Sequence, residues 1–205
     1  PTESYLSDPQ VVGRDDEVRA LRSVFNKARP GRVVVVSGAL GSGRGRLMSQ
    51  AATDAASLGW RVAEATFPGP PGLGALGDVL RNVARGLELP PGAVVDPDLA
   101  VLGAAPLRRQ VDSQTQARLF VAITSILQRR VAAEGKPLVL MLRDVQRAPP
   151  LAQQALKVIR QMARAERVPI LLVLSTTDEG DAPGSVLRQS FPEAQRLVLG
   201  PLGPQ

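Results

Sequence analysis

An almost unbroken valine run, Arg32-Val33-Val34-Val35-Val36-Ser37, passes directly into a glycine-rich turn, Gly38 to Gly45, and then into Leu47, Met48, Ala51, Ala55 and Leu58 at helical spacing. Consecutive apolar residues over so short a run describe a strand buried on both faces, which is the habit of parallel strands. A parallel neighbour cannot be reached by a hairpin and needs a crossover, usually a helix. Strand, glycine turn and helix together therefore commit the chain to an α/β architecture before any other segment is considered.

The remaining chain repeats the alternation. Asp15 and Asp16 are N-cap candidates for a helix with Val18, Leu21, Phe25 and Ala28 on one face, stopped by Pro30-Gly31. Gly59 ends the helix after the glycine turn, and residues 61–67 read as a second strand. Residues 68–112 hold seven of the eighteen prolines and read as an irregular connection with one helix around Ala75 to Gly86. A helix from Ser113 carries Leu119, Phe120, Ile123, Ile126, Leu127 and Val131 on one stripe and ends at Gly135, before strand Leu138 to Leu142. After Pro149-Pro150, Leu151, Ala155, Val158, Ile159 and Met162 mark an amphipathic helix, followed by strand Ile170 to Ser175 and a last short strand at Leu197 to Leu199. The expectation is a three-layer α/β domain over residues 11–205, preceded by a tail at residues 1–10. Its sheet should be mainly parallel with right-handed crossovers, Val33 to Ser37 and Leu138 to Leu142 should be central, and ligands should bind at the carboxyl ends of the strands.

Absences narrow the chemistry. With no histidine and no cysteine, Ser-His triads, thiol catalysis, disulfides and Cys/His zinc sites are excluded within this chain. Its longest apolar runs fall far short of the roughly 20 residues a membrane helix needs, and no basic segment followed by an apolar stretch opens the chain as an export signal would. A cytoplasmic location is expected. The net charge is +6, but only three of the 25 basic residues are lysine and the arginines are scattered along the sequence, with Arg108-Arg109 and Arg129-Arg130 the only adjacent pairs. Aromatic residues are 3% of the chain, too few for a base-stacking platform, so direct nucleic-acid binding is not expected.

The glycine turn is a candidate phosphate loop. A working loop reads G-x-x-x-x-G-K-[ST]: backbone amides cradle phosphates, the lysine reaches the β and γ oxygens, and the hydroxyl holds magnesium. Gly38-Ala39-Leu40-Gly41-Ser42-Gly43-Arg44-Gly45 keeps both glycines in the required strand-to-helix context. Arg44 stands in place of lysine and Gly45 in place of the hydroxyl residue. The candidate binding residues are Gly38, Gly41, Ser42, Gly43, Arg44, Gly45 and Arg46. The plainer alternative is a glycine-rich βα turn with no ligand.

Further motifs follow in order. Val12-Gly13-Arg14-Asp15-Asp16-Glu17-Val18-Arg19-Ala20-Leu21 fits a V-G-R-x-x-E-x-x-x-L box, Leu138 to Pro149 occupies the place of L-L-L-V-L-D-D-L-H-W-A-D, and a later strand ends Leu174-Ser175-Thr176-Thr177 in place of G-T-x-R. Over Val11 to Leu202 the chain resembles the signal-transduction (STAND) ATPases of large LuxR-type transcriptional regulators and their relatives with an Orc1-like AAA core. The resemblance implies a P-loop NTPase core of RecA/AAA type, without the helical lid that would begin near the end of this chain. By position, Arg143 replaces the first acid of the degenerate Walker B strand, Asp144 falls on the second and is the candidate remnant base, and Thr177 stands where the strand-end arginine would contact phosphate; the plainer alternatives are a salt bridge from Arg143 to a nearby carboxylate and a turn capped by Asp144. A guanidinium in place of a carboxylate should repel magnesium by several kcal/mol at about 4 Å and intermediate dielectric. No metal is therefore expected, whereas the loop amides and Arg44 could still hold ATP or ADP.

These residues imply a regulatory or interaction module of a transcriptional regulator or related signalling protein, with little or no ATP hydrolysis. A switch that senses ATP or ADP without turnover, and an active ATPase using Arg44 and Asp144, are the alternatives. The implied partners are proteins or other domains of the same larger chain, with no membrane, and with any DNA-binding domain elsewhere in the full protein.

Overall fold

The computed structural model describes residues 13–27, 29–68, 73–88, 96–104 and 112–201. The proposed tail, Val11, Val12 and the Arg108-Arg109 pair lie outside them. The elements run α1 (Asp15–Asn26), β1 (Arg32–Gly38), α2 (Arg44–Ser57), β2 (Arg61–Thr66), α3 (Ala75–Ala84), α4 (Pro97–Ala104), α5 (Ser113–Glu134), β3 (Leu138–Arg143), α6 (Pro150–Ala165), β4 (Ile170–Thr176), α7 (Val186–Ser190) and β5 (Gln195–Leu199). Short 3₁₀ turns at Val145–Arg147 and Glu179–Asp181 follow β3 and β4.

All neighbouring strands pair in parallel, in the order β2-β3-β4-β1-β5. β1 and β3 are both interior strands, as their apolar runs require. The pleat of β1 explains why every valine in it is apolar. Val33 and Val35 face a core built with α3, α5 and α6, including Leu76, Ile123, Ile126 and Ile159. Val34 and Val36 face a second core with Leu21 and Phe25 of α1 and Leu47 and Met48 of α2. Burying each such side chain is worth about 1.5–3 kcal/mol, so the sheet is held from both sides, more strongly on the α3, α5 and α6 face, whose core is the larger. Phe25 closes the second core against Trp60, with ring centroids 5.9 Å apart and planes tilted by 59°.

The sequence reading misses α4 and α7 and assigns the start of α1 differently. α4 is eight residues long and lies in the proline-rich stretch. It is anchored by tertiary contacts: buried Asp96 accepts the N–H groups of Asp98 at 2.9 Å and Leu99 at 3.3 Å, while Arg129 of α5 donates to Asp96 at 2.9 Å. Arg130 donates to the Val83 carbonyl at 2.5 Å and pairs with Glu134 at 2.9 Å. The adjacent Arg129-Arg130 pair is thus spent on internal packing. At α1, Asp15 and Asp16 lie within the first turn and Arg14 occupies the N-cap position without a side-chain cap bond.

The route of the chain sends elements away from the carboxyl end of β1 in different directions. The helix after β1, α2, crosses the face of the sheet shared with α1, whereas α3, α5 and α6 pack on the opposite face. β5 pairs with the far side of β1. Elements therefore diverge around the end of β1, where parallel α/β sheets place their ligands.

Candidate functional site

β1 ends at Gly38, where a Cβ would lie 2.6 Å from Ser42 Oγ and 3.0 Å from the Leu199 carbonyl oxygen. The absence of a side chain lets the loop fold back against its own strand and β5. Gly41 and Gly43 adopt φ of +83° and +89°, a left-handed conformation that side-chain residues rarely take. Gly43 is the N-cap of α2 and supplies no side-chain cap. The first intrahelical bond runs from Leu47 N–H to the Gly43 carbonyl at 3.0 Å, which leaves the amides of Arg44, Gly45 and Arg46 without an acceptor inside the helix. Unpaired amides and the positive end of the helix dipole suit an anion.

Arg44 is the first residue of α2 and is 9% exposed. Its Nη1 is out of contact with solvent and has no hydrogen-bond partner among the described residues. A buried charged donor left this way costs more than about 1–3 kcal/mol unless an acceptor arrives. Around Gly45, by contrast, no atom lies within 4 Å of a built Cβ and its φ is not left-handed, so neither space nor backbone demands glycine there. Leu40 stands at the crest of the loop, 86% exposed.

Arg14 braces the loop from behind. Its Nη2 donates to the Ser42 carbonyl at 3.1 Å and to the Gly200 carbonyl at 2.5 Å, and Nη1 pairs with Glu17 at 3.1 Å. The box that precedes the loop in sequence is thus a tie between the phosphate loop, α1 and the exit from β5. Motif order alone did not reveal this role.

At the end of β3 the structure changes the expected electrostatics. Arg143 is drawn sideways, its Nη2 donating to Glu64 Oε2 on β2 at 2.8 Å and to Ser49 Oγ on α2 at 3.1 Å. Ser49 lies five residues past Arg44, about 7.5 Å along the helix. Glu64 neutralises the guanidinium, so the expectation of strong repulsion by a free positive charge needs correction: a paired ion occupies this corner. The parallel register explains the pairing. Thr66 lies beside Arg143 and Glu64 beside Met141, which puts Glu64 and Arg143 on the α2 face of adjacent strands. Strand register was the missing information, because the residues are far apart in sequence.

Asp144 follows in the left-handed region with φ 54° and ψ 45°, a conformation that aspartate tolerates better than most residues. Its N–H points to Ser175 Oγ at 3.4 Å, and its half-buried carboxylate accepts no hydrogen bond among the described residues. Thr177 does not present a free hydroxyl: Oγ1 accepts the Gly180 N–H at 3.2 Å and caps the turn after β4. Thr176 is fully buried, its hydroxyl without a partner among the described residues and beside Gly180, where a Cβ would approach it to 2.0 Å. Among the described residues no group of three or more acidic side chains converges in the manner of a metal site.

The phosphate-loop candidates thus surround the start of α2 at the carboxyl end of β1, and Arg143 and Asp144 end a strand of the same sheet. The model of the AAA ATPase domain family matches residues 10–173, and the chain belongs to that family. Among solved structures it is similar to Cdc6p from Pyrobaculum aerophilum, at 15% identity and TM-score 0.61 over 98% of this chain and 48% of that one. It is also similar to the Aeropyrum pernix Orc1 protein in complex with DNA, at 17% identity and TM-score 0.55 over 96% of this chain and 47% of that one. A replication initiator DnaA bound to AMPPCP and single-stranded DNA matches at 13% identity and TM-score 0.51, covering 92% and 47% of the respective chains. At these identities the likeness is one of fold, and this chain spans about half the length of each. No curated protein matches it. No helix among the described residues is long and apolar enough to cross a membrane.

Proposed function

We propose that this AAA domain is a regulatory module of a larger signalling protein of the LuxR-regulator type, and that its loop holds the phosphates of ATP or ADP without magnesium and without turnover. The observation that carries the reading is Arg44: a buried guanidinium with an unpartnered Nη1, set at the head of a helix whose first amides lack intrahelical acceptors. A nucleotide phosphate would supply acceptors to both. The DnaA structure with AMPPCP supports the same use of this fold, though as a property of that protein.

The residues present do not fit magnesium. Gly45 has no hydroxyl, Arg143 stands in place of an acid, and Glu64 is engaged by Arg143, which leaves Asp144 as the one unengaged carboxylate identified at this strand end among the described residues. Phosphoryl transfer in this fold class depends on positioning and on charge neutralisation by the metal, so Asp144 alone could not sustain it. Nucleotide state would instead act on the loop, and through Arg14 on α1 and the chain beyond Gly200. Its partners would be proteins or other domains of the same chain, with sequence-specific DNA reading left to a different domain.

Calorimetric titration with ATP and ADP, each with magnesium and with chelator, tests the reading. Binding of either nucleotide should survive chelation and be weakened roughly ten- to a hundredfold in Arg44→Ala. Magnesium-dependent hydrolysis abolished by Asp144→Asn would refute it, and failure of both nucleotides to bind would leave a ligand-free interaction module.

A further inference from the structure

The arginines that look scattered in the sequence converge at the amino-terminal end of the sheet, the end of β1 away from the phosphate loop. Arg29 and Arg32 flank the turn into β1, Arg160 and Arg164 lie one turn apart on α6, and Glu193 precedes β5. Together they line a cleft of about 340 Å³. Lys157 extends it into an adjoining groove that shares Arg160 and Arg164. Five cations less one carboxylate leave +4 here, against a formal +6 for the whole chain.

The cleft is built by close packing. Gly31 has φ +66°, and a Cβ on it would lie 2.3 Å from Arg164 Cγ and 2.7 Å from the Arg160 carbonyl oxygen. Only glycine lets the turn rest directly on α6. Arg32 is steadied by a neutral group, donating from Nη2 to Gln195 Oε1 at 2.5 Å. Arg29 and Lys157 have no carboxylate partner within ion-pair distance among the described residues.

Glu193 shows what the cleft accepts. One of its oxygens, Oε2, receives Arg160 Nη2 at 2.7 Å and Arg164 Nη1 at 2.7 Å, although the side chain remains 66% exposed. Two guanidinium groups thus meet on one carboxylate at the mouth of a concave, positively charged surface.

We propose that this cleft docks an acidic segment of a partner protein, whose carboxylates share or take over the place of Glu193 beside Arg160 and Arg164 and reach Arg29 and Lys157. A carboxylate-bearing chain fits better than a duplex, because Arg160 and Arg164 already hold a carboxylate inside a concave site, whereas a duplex is contacted at phosphates spaced along its length. These cations instead gather around one cleft and the groove that adjoins it. The inference stands whether or not the phosphate loop holds a nucleotide.

Fluorescence anisotropy of the 205-residue chain with a labelled oligoglutamate peptide, and with a labelled duplex of matched net charge, tests it. The peptide should bind more tightly than the duplex, and Arg164→Ala should weaken peptide binding roughly tenfold. Glu193→Gln should strengthen it severalfold by removing the internal competitor, an outcome that mere loss of structure would not produce. Arg118→Ala, which removes an exposed charge on α5, should change little. Tighter duplex binding, no peptide binding by either the natural chain or Glu193→Gln, or equal weakening by Arg118→Ala and Arg164→Ala would each overturn the proposal.

Discussion

Two helices of this domain begin in opposite ways. α5 is served from within: Asp112 at its N-cap accepts the Thr115 N–H at 2.8 Å and the Thr115 hydroxyl at 2.8 Å. α2 starts from a left-handed glycine that offers nothing to its first amides, and its first side chain is a buried arginine lacking a partner for Nη1. Both helices face the same chemical problem of orphan N–H groups and a positive dipole end. One solves it with its own carboxylate and gains stability. The other leaves the problem open at the carboxyl end of the sheet, where the proposed nucleotide phosphates would meet it.

The sharpest way to break this contrast is to cap α2 from within. Gly43→Asp would place a carboxylate beside the first-turn amides and Arg44, at a φ of +89° that aspartate tolerates with strain. Nucleotide binding should fall below detection in calorimetry, while thermal unfolding shows whether the new cap offsets a strain of about 1–3 kcal/mol. Undiminished affinity would mean that the loop amides are not where the phosphates sit. Next in size is Arg44→Ala, which removes a charged donor and should weaken binding by roughly ten- to a hundredfold, matching charged hydrogen bonds worth about 1.5–3 kcal/mol.

The shape of the loop was legible in the sequence because it is written in backbone. Gly38, Gly41 and Gly43 are glycines for local reasons of approach and φ, and a strand-to-helix context suffices to interpret them. The end of β3 was less legible because its function is written in side chains whose neighbours come from other elements. Glu64 and Ser49 decide what Arg143 does, and the parallel register and helix packing that join them have no local signature. The basic cleft was hidden for the same reason, its arginines coming from the turn before β1 and from α6. The parallel sheet and the interior places of β1 and β3, by contrast, followed from apolar runs, and the omissions, α4 and α7, are short helices of eight and five residues.

Repairing the side-chain half of the site is a third test. Arg44→Lys, Gly45→Thr and Arg143→Asp together should make nucleotide affinity magnesium-dependent, by about tenfold or more, whereas single changes should recover little because such groups act as a unit. The open space around Gly45 makes its substitution the easiest to accommodate. Arg143→Asp also frees Glu64, so the triple variant gains a carboxylate besides the one introduced. Affinity that remains indifferent to chelator in the folded triple variant would show that the pocket has lost its metal-compatible shape. A smaller effect is expected from the Arg143–Glu64 pair itself. A double-mutant cycle of Arg143→Ala and Glu64→Gln should give a coupling of about 0.2–1 kcal/mol in stability, as for other partly exposed ion pairs.

The smallest expected effect lies at the other helix. The Thr115 backbone N–H, and then its hydroxyl, favour the ionised form of Asp112 and hold its pKa below the ordinary 3.8. A depressed carboxylate pKa means that the unfolded chain takes up the proton first, so the cap's contribution is full above the ordinary value and is lost as pH falls through the lowered one. Asp112 is solvent-exposed, and water and salt screen the effect. Asp112→Asn keeps a side-chain oxygen for the Thr115 amide but cannot titrate. Thermal unfolding followed by circular dichroism across the acid range should therefore show the natural chain with a small extra stability over Asp112→Asn near neutrality, and the two curves converging under acid. At α2 no such dependence should appear without ligand, because Gly43 supplies no titratable cap. Equal acid sensitivity in the natural chain and Asp112→Asn would show that the α5 cap acts through its hydrogen bond alone, and the contrast between the two helices would then rest on geometry without charge.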